Sequence, residues 1–294
     1  MKKFFSAVAA ALVMAVALTS CGTGSGTSGA DTSPAVQPDS FKAADLDASY
    51  DEDTDTVITL SGSTGSSSSG DTSVGFSQGV ATVRAPGTYI VRGEMNGRLI
   101  VSVSKEEKVH LVLDGVKLTS PDGPAISIIS ADKTTVTLAE GSQNTLTDAQ
   151  KSSDEDANGC LYSADDLSIN GSGSLKITAN YNNGISCRND LKIAGGKIVI
   201  AAVNNAIKGK QSVEIAGGDI TVDRCDDGIK ASDEETAGKG YVTIYGGKIN
   251  LNCTDDGIQA PVSVTVSGGD VRLNAGGKKI NCDGEVNIAD GTVR

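Results

Sequence analysis

Several residue types are scarce or absent in this chain of 294 residues, and each gap narrows the range of possible functions. There is no Trp, and the six Tyr and four Phe form no evident platform for stacking against the rings of a ligand. The sequence has one histidine, His110, and lacks Gly-x-Ser-x-Gly, His-Glu-x-x-His and Gly-Lys-Ser/Thr motifs. A Ser-His-Asp or Cys-His catalytic site would therefore have to use His110, which alternates with apolar residues as an outward strand residue does.

Positive charge is also in short supply. The 25 Lys and Arg residues face 37 Asp and Glu residues, and the net charge is −12. A strongly acidic surface disfavours nucleic acid and anionic lipid as partners, and it suits cations or anionic ligands bridged by cations. Cys-x-x-Cys pairs of the zinc-binding kind are missing.

Long apolar runs are confined to the N-terminus. Lys2 and Lys3 precede a short apolar run that ends at Leu18, a pattern typical of a secretion signal and too short for a firm membrane span. The following Thr-Ser-Cys21-Gly resembles a bacterial lipobox, which implies cleavage before Cys21 and attachment of lipid to its thiol; an ordinary signal peptide is the alternative. We expect residues 1–20 to be a lipoprotein signal peptide and the protein to be exported and anchored at the cell surface through Cys21.

Residues 21–55 are rich in Gly, Ser and Thr and then turn acidic, so they are predicted to form a flexible linker. Five cysteines follow Cys21, and an odd number in an exported protein argues against a complete disulfide framework.

From Leu191 onward the chain repeats one unit. The units begin at Leu191, Val213, Val242, Val264 and Val286, so the spacing is 22 residues except for one of 29 that carries an insert. A fixed period of this size is typical of a solenoid, and three short alternating strands fit each unit. For residues 56–294 we predict an all-β fold: a right-handed parallel β-helix with coils of about 22 residues, three short strands per coil and an irregular N-terminal β cap.

One corner of the predicted coils collects polar residues. Successive coils place Asn182-Asn183, Asn204-Asn205, Asp226-Asp227 and Asp255-Asp256 at equivalent positions, and Gly276-Gly277-Lys278 ends the series. Like charges ~5 Å apart repel unless a cation neutralises them, and carboxylate and amide oxygens suit calcium. We predict a calcium site formed by Asp226, Asp227, Asp255, Asp256, Asn204 and Asn205; the alternative is that these residues only set tight turns.

Lys208 and Lys230 take equivalent outward positions beside this corner. A lysine next to bound calcium can recognise a sugar carboxylate, and with a lowered pKa it can act as the general base of a β-elimination. Two solvated lysines with no such role are the alternative.

The chain resembles a family of exported bacterial carbohydrate-binding β-helix domains, many of them lipoproteins. The resemblance covers roughly Thr56 to Arg294 and rests on segments such as GTYIVRGEMNGRLIVSV, KVHLVLDGVKLTS, LAEGSQNTLTDA and the two DDGI repeats. It implies a fold similar to pectate lyases, bound calcium, and binding to cellulose or to pectin-like acidic glycans without established catalysis. The Asp226 and Asp255 corners match the family's acidic corner, whereas the Asn182 and Asn204 corners depart from it. Family members usually continue past this point, so the resemblance also implies a longer chain.

Three hypotheses follow. The first is a surface-anchored, monomeric, non-catalytic lipoprotein that binds acidic or plant-type polysaccharide with calcium and does not bind nucleic acid. The second is a calcium-dependent polysaccharide lyase of the pectate type, with Lys208 or Lys230 as the base. The third is a structural adhesin or spacer whose acidic corner only shapes turns.

Overall fold

The structure is a computed structural model that describes residues 38–70, 72–289 and 291–294. It is nearly all β, with 55% of residues in strands and 2% in helix. The predicted signal peptide, the lipidation residue Cys21 and the first part of the predicted linker lie outside the described residues. Within the described ranges, no helix is long and apolar enough to cross a membrane.

The N-terminal part consists of one short helix and ten strands, in which apolar residues alternate with polar ones and therefore face one side. In chain order these elements are α1 (Ala43–Leu46), β1 (Thr56–Gly62), β2 (Thr64–Ser67), β3 (Val74–Ser77), β4 (Val80–Val83), β5 (Gly87–Asn96), β6 (Arg98–Ser102), β7 (Lys108–Thr119), β8 (Ile126–Ser130), β9 (Lys133–Leu138) and β10 (Gln143–Thr147).

Shorter strands follow, most of them three to six residues long. They are β11 (Gly159–Ser163), β12 (Asp166–Gly171), β13 (Ser174–Thr178), β14 (Asn183–Cys187), β15 (Asp190–Ile193), β16 (Lys197–Ala201), β17 (Ile207–Gly209), β18 (Ser212–Ile215), β19 (Asp219–Cys225), β20 (Ile229–Ala231), β21 (Tyr241–Ile244), β22 (Lys248–Cys253), β23 (Ile258–Ala260), β24 (Ser263–Val266), β25 (Asp270–Ala275), β26 (Ile280–Cys282) and β27 (Glu285–Ile288).

These strands stack in parallel on their counterparts in the next repeat. One sheet of ten strands runs from β3 to β26, and a second sheet of 17 strands holds the others. In the larger sheet, β15, β18, β21 and β24 form one stack and β16, β19, β22 and β25 another. The architecture is therefore β-helix-like, with parallel sheets built from equivalent positions of the repeat.

The interior is a set of aliphatic columns. Ile185, Ile207, Ile229 and Ile258 pair in direct register along the ten-stranded sheet, and all four are fully buried. Because each repeat covers its apolar face only with the repeats on either side, the main core is one continuous cluster; Ile90, Val112 and Ala139 form a small second one. The register of the sheet is thereby fixed, since a slip of one residue would turn each column towards solvent.

Antiparallel pairing occurs at the N-terminal end of the stacks. β1 pairs with β2, and β3 pairs with β4, in two antiparallel hairpins. β1 and β4 then join the parallel stacks through β5 and β6. The hairpins lie at the end of the chain where the irregular β cap is predicted.

Residues 38–55 differ from the predicted flexible linker, because they form an ordered arm across the outer face of the 17-stranded sheet. Phe41 is buried and packs edge-on against Tyr245, with the ring centroids 6.4 Å apart. The Lys192 ammonium lies over the Phe41 ring, 5.2 Å from its centroid. Asn170 donates hydrogen bonds to the backbone carbonyls of Asp45 and Asp47 at 3.1 and 2.9 Å. The polar composition concealed this docking, because the contacts depend on one aromatic ring and one carboxylate.

Asp45 is the electrostatic anchor of the arm. It is fully buried, forms ion pairs with Lys133 and Lys192, and accepts a hydrogen bond of 2.5 Å from Ser168. Burial opposes the charged carboxylate, but the bonds from Lys133 and Ser168 outweigh it and hold the pKa of Asp45 below its usual value.

The arm also covers Glu214, which alternation predicts to point into solvent. Its side chain does leave the outer face of the sheet, yet it is only 3% exposed. Ser40 and Tyr241 both donate hydrogen bonds to its carboxylate. Strand periodicity assigns the face of a residue correctly here, but it cannot show that another segment covers that face.

We predict that Asp45→Asn releases the arm. Loss of the carboxylate leaves Lys133 and Lys192 without their partner, so the free energy of unfolding should fall by about 3 kcal/mol. Limited proteolysis should then cleave residues 38–55 faster, and chemical denaturation should report the loss of stability. Asp53→Asn is the matched control, because Asp53 is exposed in the same segment. Equal cleavage of both variants would contradict an anchoring role.

The pH dependence of this contribution has a definite sign. The folded pKa of Asp45 lies below its unfolded value of about 3.9, so the stabilisation is present above about pH 4 and disappears as the pH falls through the folded pKa.

Candidate cation corner and adjacent cationic face

The acidic corner lies where two stacked strands of the 17-stranded sheet turn into the ten-stranded sheet. Asp226 and Asp227 connect β19 to β20, and Asp255 and Asp256 connect β22 to β23. The Asp255 amide donates to the Asp226 carbonyl at 3.0 Å, and the Gly228 amide donates to the Asp256 carbonyl at 2.9 Å. Backbone hydrogen bonds thus hold the two corners directly above one another.

Stacking brings three of the four carboxylates together. One carboxylate oxygen from each of Asp227, Asp255 and Asp256 lies within 4.8 Å of the others. Asp227 and Asp256 are each 6% exposed, whereas Asp255 is open to solvent. The group therefore has two fixed inner carboxylates and one outer carboxylate that a solvated ion can reach.

Asp226 lies outside this group. It is exposed, and its Oδ1 accepts a hydrogen bond of 2.9 Å from the Thr254 hydroxyl. Of the six predicted metal ligands, the structure thus brings three aspartates together and leaves Asp226 at the rim.

The inner carboxylates are held by donors from the protein. Asp227 accepts hydrogen bonds from the Lys230 ammonium at 3.0 Å and from the Asp256 amide at 3.2 Å. Asp256 accepts from the Lys278 amide at 2.8 Å and from the Asn281 side chain at 2.6 Å. Each carboxylate oxygen that accepts one bond keeps a further lone pair for a cation.

An asparagine ladder supports the corner from the preceding repeats. Asn205 donates from its backbone and side chain to Asn183 Oδ1 at 3.1 and 2.7 Å, and Asn204 donates to Asn182 Oδ1 at 2.9 Å. Asn204 is therefore occupied within the ladder and is turned towards the preceding repeat.

Asn205 Oδ1 is an unusual atom in this ladder. Asn205 is 2% exposed, and its Oδ1 has no hydrogen-bond partner among the described residues. By the pattern of its neighbours, this oxygen would accept from the Asp227 amide, as Asp227 Oδ1 accepts from the Asp256 amide. A buried acceptor without a donor is costly, and it marks a place where a cation or a water molecule would be stabilised.

The electrostatics of the corner are unfavourable without added positive charge. The neighbouring Asp256 carboxylate, together with Asp227 and Asp226, raises the pKa of Asp255 above its usual value even though Asp255 is exposed. Lys230 offsets part of this repulsion through its ion pair with Asp227. Lys230 therefore stabilises the inner carboxylates, while the outer carboxylate of Asp255 is still repelled by its acidic neighbours.

Gly277 gives these carboxylates their space. A Cβ atom at this position would lie 2.7 Å from Asp256 Oδ1 and closer still to Asp255 Oδ1. The glycines that end the sequence pattern are thus part of the corner. The carboxylate oxygens that Gly277 accommodates and the buried Asn205 Oδ1 are the kind of donors that fit a hard cation such as calcium.

A cationic face adjoins the corner on the ten-stranded sheet. Lys208 and Lys230 pair in register, and the same outward column continues through Gln259 and Asn281. Burial, and then the neighbouring Lys230, lower the pKa of Lys208, while Asp227 opposes the change. The structure thus places both predicted lysines beside the corner, with Lys230 tied to Asp227 and Lys208 not.

Two depressions flank the lysines. The first, of about 290 Å³, is lined by Asp156, Asn158, Ser186, Arg188, Lys208 and Lys210. The second, of about 180 Å³, is lined by Lys230, Glu234, Gln259, Pro261, Asn281 and Asp283. Ser232 borders both, so the two form adjacent parts of one elongated surface.

A larger depression, of about 460 Å³, lies on the outer face of β19, β22 and β25. Its arginines, Arg272 and Arg294, are both paired with Asp270, which offsets part of their charge. Volume alone would favour this depression as the binding site, but the acidic corner and the two lysines lie outside it.

Sequence reasoning missed several residues of this surface. Arg188 and Lys210 line the first depression, and Asn281 holds Asp256. Asn281 could have been found from the repeat, since it occupies the same position as Lys208 and Lys230 and lies two coils beyond Lys230. Arg188 follows a strand and falls outside the repeating outward column, so periodicity carries no signal for it.

Comparison with known proteins identifies relatives of this chain. The family model described as carbohydrate-binding domain-containing protein matches residues 77–293. A protein of Acetivibrio thermocellus with the same description is 39% identical over an alignment of 203 residues, and the alignment covers 66% of this chain and 64% of that protein. The chain thus spans less than two thirds of the length of this relative.

A solved structure is similar as well. It is described as the polysaccharide lyase-like protein from C. thermocellum, in a gadolinium derivative. The TM-score is 0.79 and the identity 38%, and the match covers 82% of this chain and 99% of that one. The β-helix-like architecture and the family match lead to one conclusion: this chain belongs to the family of carbohydrate-binding domain-containing proteins.

Proposed function

We propose that the protein is a surface-anchored, non-catalytic lipoprotein that binds acidic or plant-type polysaccharide with the help of calcium. The observation that carries this proposal is that oxygens of Asp227, Asp255 and Asp256 lie within 4.8 Å of one another. They lie directly beside the outward column that begins with Lys208 and Lys230, here called the lysine column. Anionic and cationic groups on one surface suit a ligand that is itself anionic and can bridge to a cation.

Asp227, Asp255 and Asp256 would hold the calcium, with Asn205 Oδ1 as a further oxygen nearby. Bound calcium would supply the positive charge that the outer carboxylates lack and could bind a sugar carboxylate. The lyase-like relative was solved as a gadolinium derivative, and a hard cation of that kind also prefers oxygen ligands.

The chain's own residues would bind the glycan along the two depressions. Lys208 and Lys210 offer ammonium donors for carboxylates, and Gln259 and Asn281 offer amides for hydroxyl groups. Strand spacing of ~4.8 Å places these side chains at regular intervals along the sheet, which suits a repeating polymer.

Several finer features belong to the same proposal. We expect right-handed coils of about 22 residues with three strands each, because parallel crossover connections are overwhelmingly right-handed. Lipid attachment at Cys21, export to the cell surface and a monomeric state complete it. The net charge of −12 disfavours nucleic acid as a partner.

Asp255→Asn should weaken calcium binding. Asp255 is the exposed member of the carboxylate group, so its substitution removes a ligand charge without disturbing the core. Isothermal titration should show a loss of at least about tenfold in affinity, or about 1.4 kcal/mol. Asp223→Asn is the control, because Asp223 is an exposed acid of β19 that lies outside the group. Equal calcium affinity in wild type and Asp255→Asn would remove the metal assignment.

Lys208→Gln should weaken binding to polygalacturonate. The half-buried ammonium is positioned for a sugar carboxylate, and losing one charged hydrogen bond should reduce affinity by about fivefold to tenfold. Affinity electrophoresis with calcium and with chelator measures the effect, and Lys197→Gln on an exposed site of β16 is the control. Undiminished binding would argue for recognition of a neutral glycan such as cellulose. Absence of binding to any polysaccharide would favour an adhesin or spacer.

A calcium-dependent polysaccharide lyase is the second candidate, favoured by the lowered pKa of Lys208. A neutral lysine amine can remove the proton next to a sugar carboxylate, and a lower pKa makes that form more available. Under the binding proposal, polygalacturonate incubated with the protein and calcium should give no ultraviolet-absorbing unsaturated product. Product that accumulates faster as the pH rises and disappears in Lys208→Gln would identify the lyase instead.

A further inference from the structure

Two cysteines lie side by side at the entrance to the acidic corner. Cys225 ends β19, Cys253 ends β22, and the paired strands place them in direct register. Both are free thiols in the structure. Cys225 is 4% exposed and Cys253 is partly exposed, and the Cys225 thiol donates a hydrogen bond to the Asn252 carbonyl at 3.6 Å.

The other three described cysteines have different surroundings. Cys187 has Ser163 and Gly209 as register neighbours, and its thiol donates to the Asp165 carbonyl at 3.2 Å. Cys282 pairs with Ala260, and Cys160 is fully buried in the core. Among the strand pairings of the described residues, Cys225 and Cys253 are the two cysteines that face each other across a ladder.

The usual spacing of paired strands is compatible with a disulfide at these two positions. Neighbouring strands lie ~4.8 Å apart, which falls within the Cα separations that disulfides span. Disulfides prefer Cβ atoms ~3.8 Å apart, so the pair must approach by roughly 1 Å. The register of β19 and β22 shifts between Val222 and Cys225, so the pair lies beside an irregularity at which the ladder is locally disrupted.

An odd number of cysteines is no obstacle to one such bond. The count argues against a framework in which every cysteine is paired, but a single disulfide leaves the buried Cys160 and Cys187 as core residues. Cys253 is the more exposed thiol of the pair and can be reached first by an oxidant.

We propose that Cys225 and Cys253 form a disulfide between adjacent repeats by exchange with a disulfide-bearing oxidant. The Cys253 sulfur attacks the oxidant's disulfide, forms a mixed disulfide and releases one thiol. The Cys225 sulfur then attacks Cys253 Sγ and releases the second thiol. The two protein thiols are oxidised, the oxidant's disulfide is reduced, and their two protons pass to the released thiols.

Such a bond would fix the corner that follows it. Cys225 immediately precedes Asp226 and Asp227, and Cys253 is two residues before Asp255. Covalent linkage of the two strand ends therefore limits how far the stacked carboxylates can move apart. This consequence for calcium rests on the proposed function, whereas the disulfide itself does not.

Peptide mapping of the full-length protein after incubation with oxidised glutathione tests the bond. Free thiols are then blocked, and trypsin should yield residues 225–230 cross-linked to residues 249–272, because cleavage follows Arg224, Lys230, Lys248 and Arg272. Cys225→Ser and Cys253→Ser should each abolish this product, and Cys282→Ser should retain it. Oxidation that leaves both thiols free, or that links either of them to another cysteine, would overturn the proposal.

Calcium titration of the oxidised and reduced protein tests the consequence separately. The oxidised form should bind calcium at least about threefold more tightly, and the difference should vanish in Cys253→Ser. A mapped cross-link with unchanged calcium affinity would overturn the coupling to the corner while the disulfide stands. No calcium binding by either form would instead contradict the proposed function.

Discussion

The in-register stacking of successive repeats is the constraint on which every other feature depends. No repeat can bury its own apolar face, so Ile207 must lie against Ile185 on one side and Ile229 on the other. These columns fix the position of the turns and outward side chains that lie between them. Equivalent turns and side chains of successive repeats must therefore stack at the strand spacing of ~4.8 Å. The acidic corner, the lysine column and the cysteine pair are therefore consequences of the core, because a residue type repeated in the sequence becomes a cluster in space.

Stacking of like charges has a cost, and groups within the corner offset part of it. The inner carboxylates of Asp227 and Asp256 are satisfied by Lys230, by Asn281 and by backbone amides. The outer carboxylates have less support, since Asp255 has its pKa raised by Asp256. A structure that only needed a turn could have used asparagine again, as the ladder at Asn183 and Asn205 does with its amide bonds. The change from amides to acids in two adjacent repeats therefore favours a ligand with positive charge over turn formation alone.

The sequence was sufficient for the features that repeat and insufficient for those that occur once. The all-β class, the parallel stacking and the place of Asp227, Asp255 and Asp256 all follow from a period that can be counted. The ordered arm could not be predicted, because the contacts of Phe41 and Asp45 do not recur along the chain and are made with residues more than eighty positions away. Asp226 and Asn204 show a second limit: the repeat places a residue at a corner, but the orientation of its side chain depends on which neighbour shares a hydrogen bond with it.

The same distinction separates binding from catalysis at this site. Binding a polymer requires side chains at regular intervals, and a stacked sheet supplies these through the repeat alone. Proton abstraction requires one group that differs from its equivalents in adjacent repeats. Lys208 differs from Lys230 in this sense, because Lys230 is held by Asp227 while Lys208 is half-buried and has its pKa lowered. Its counterparts further along the column, Gln259 and Asn281, are neutral amides that can hold a sugar but cannot remove a proton. Any catalysis on this face would therefore be confined to the end of the column nearest Lys208, whereas glycan binding could use its whole length.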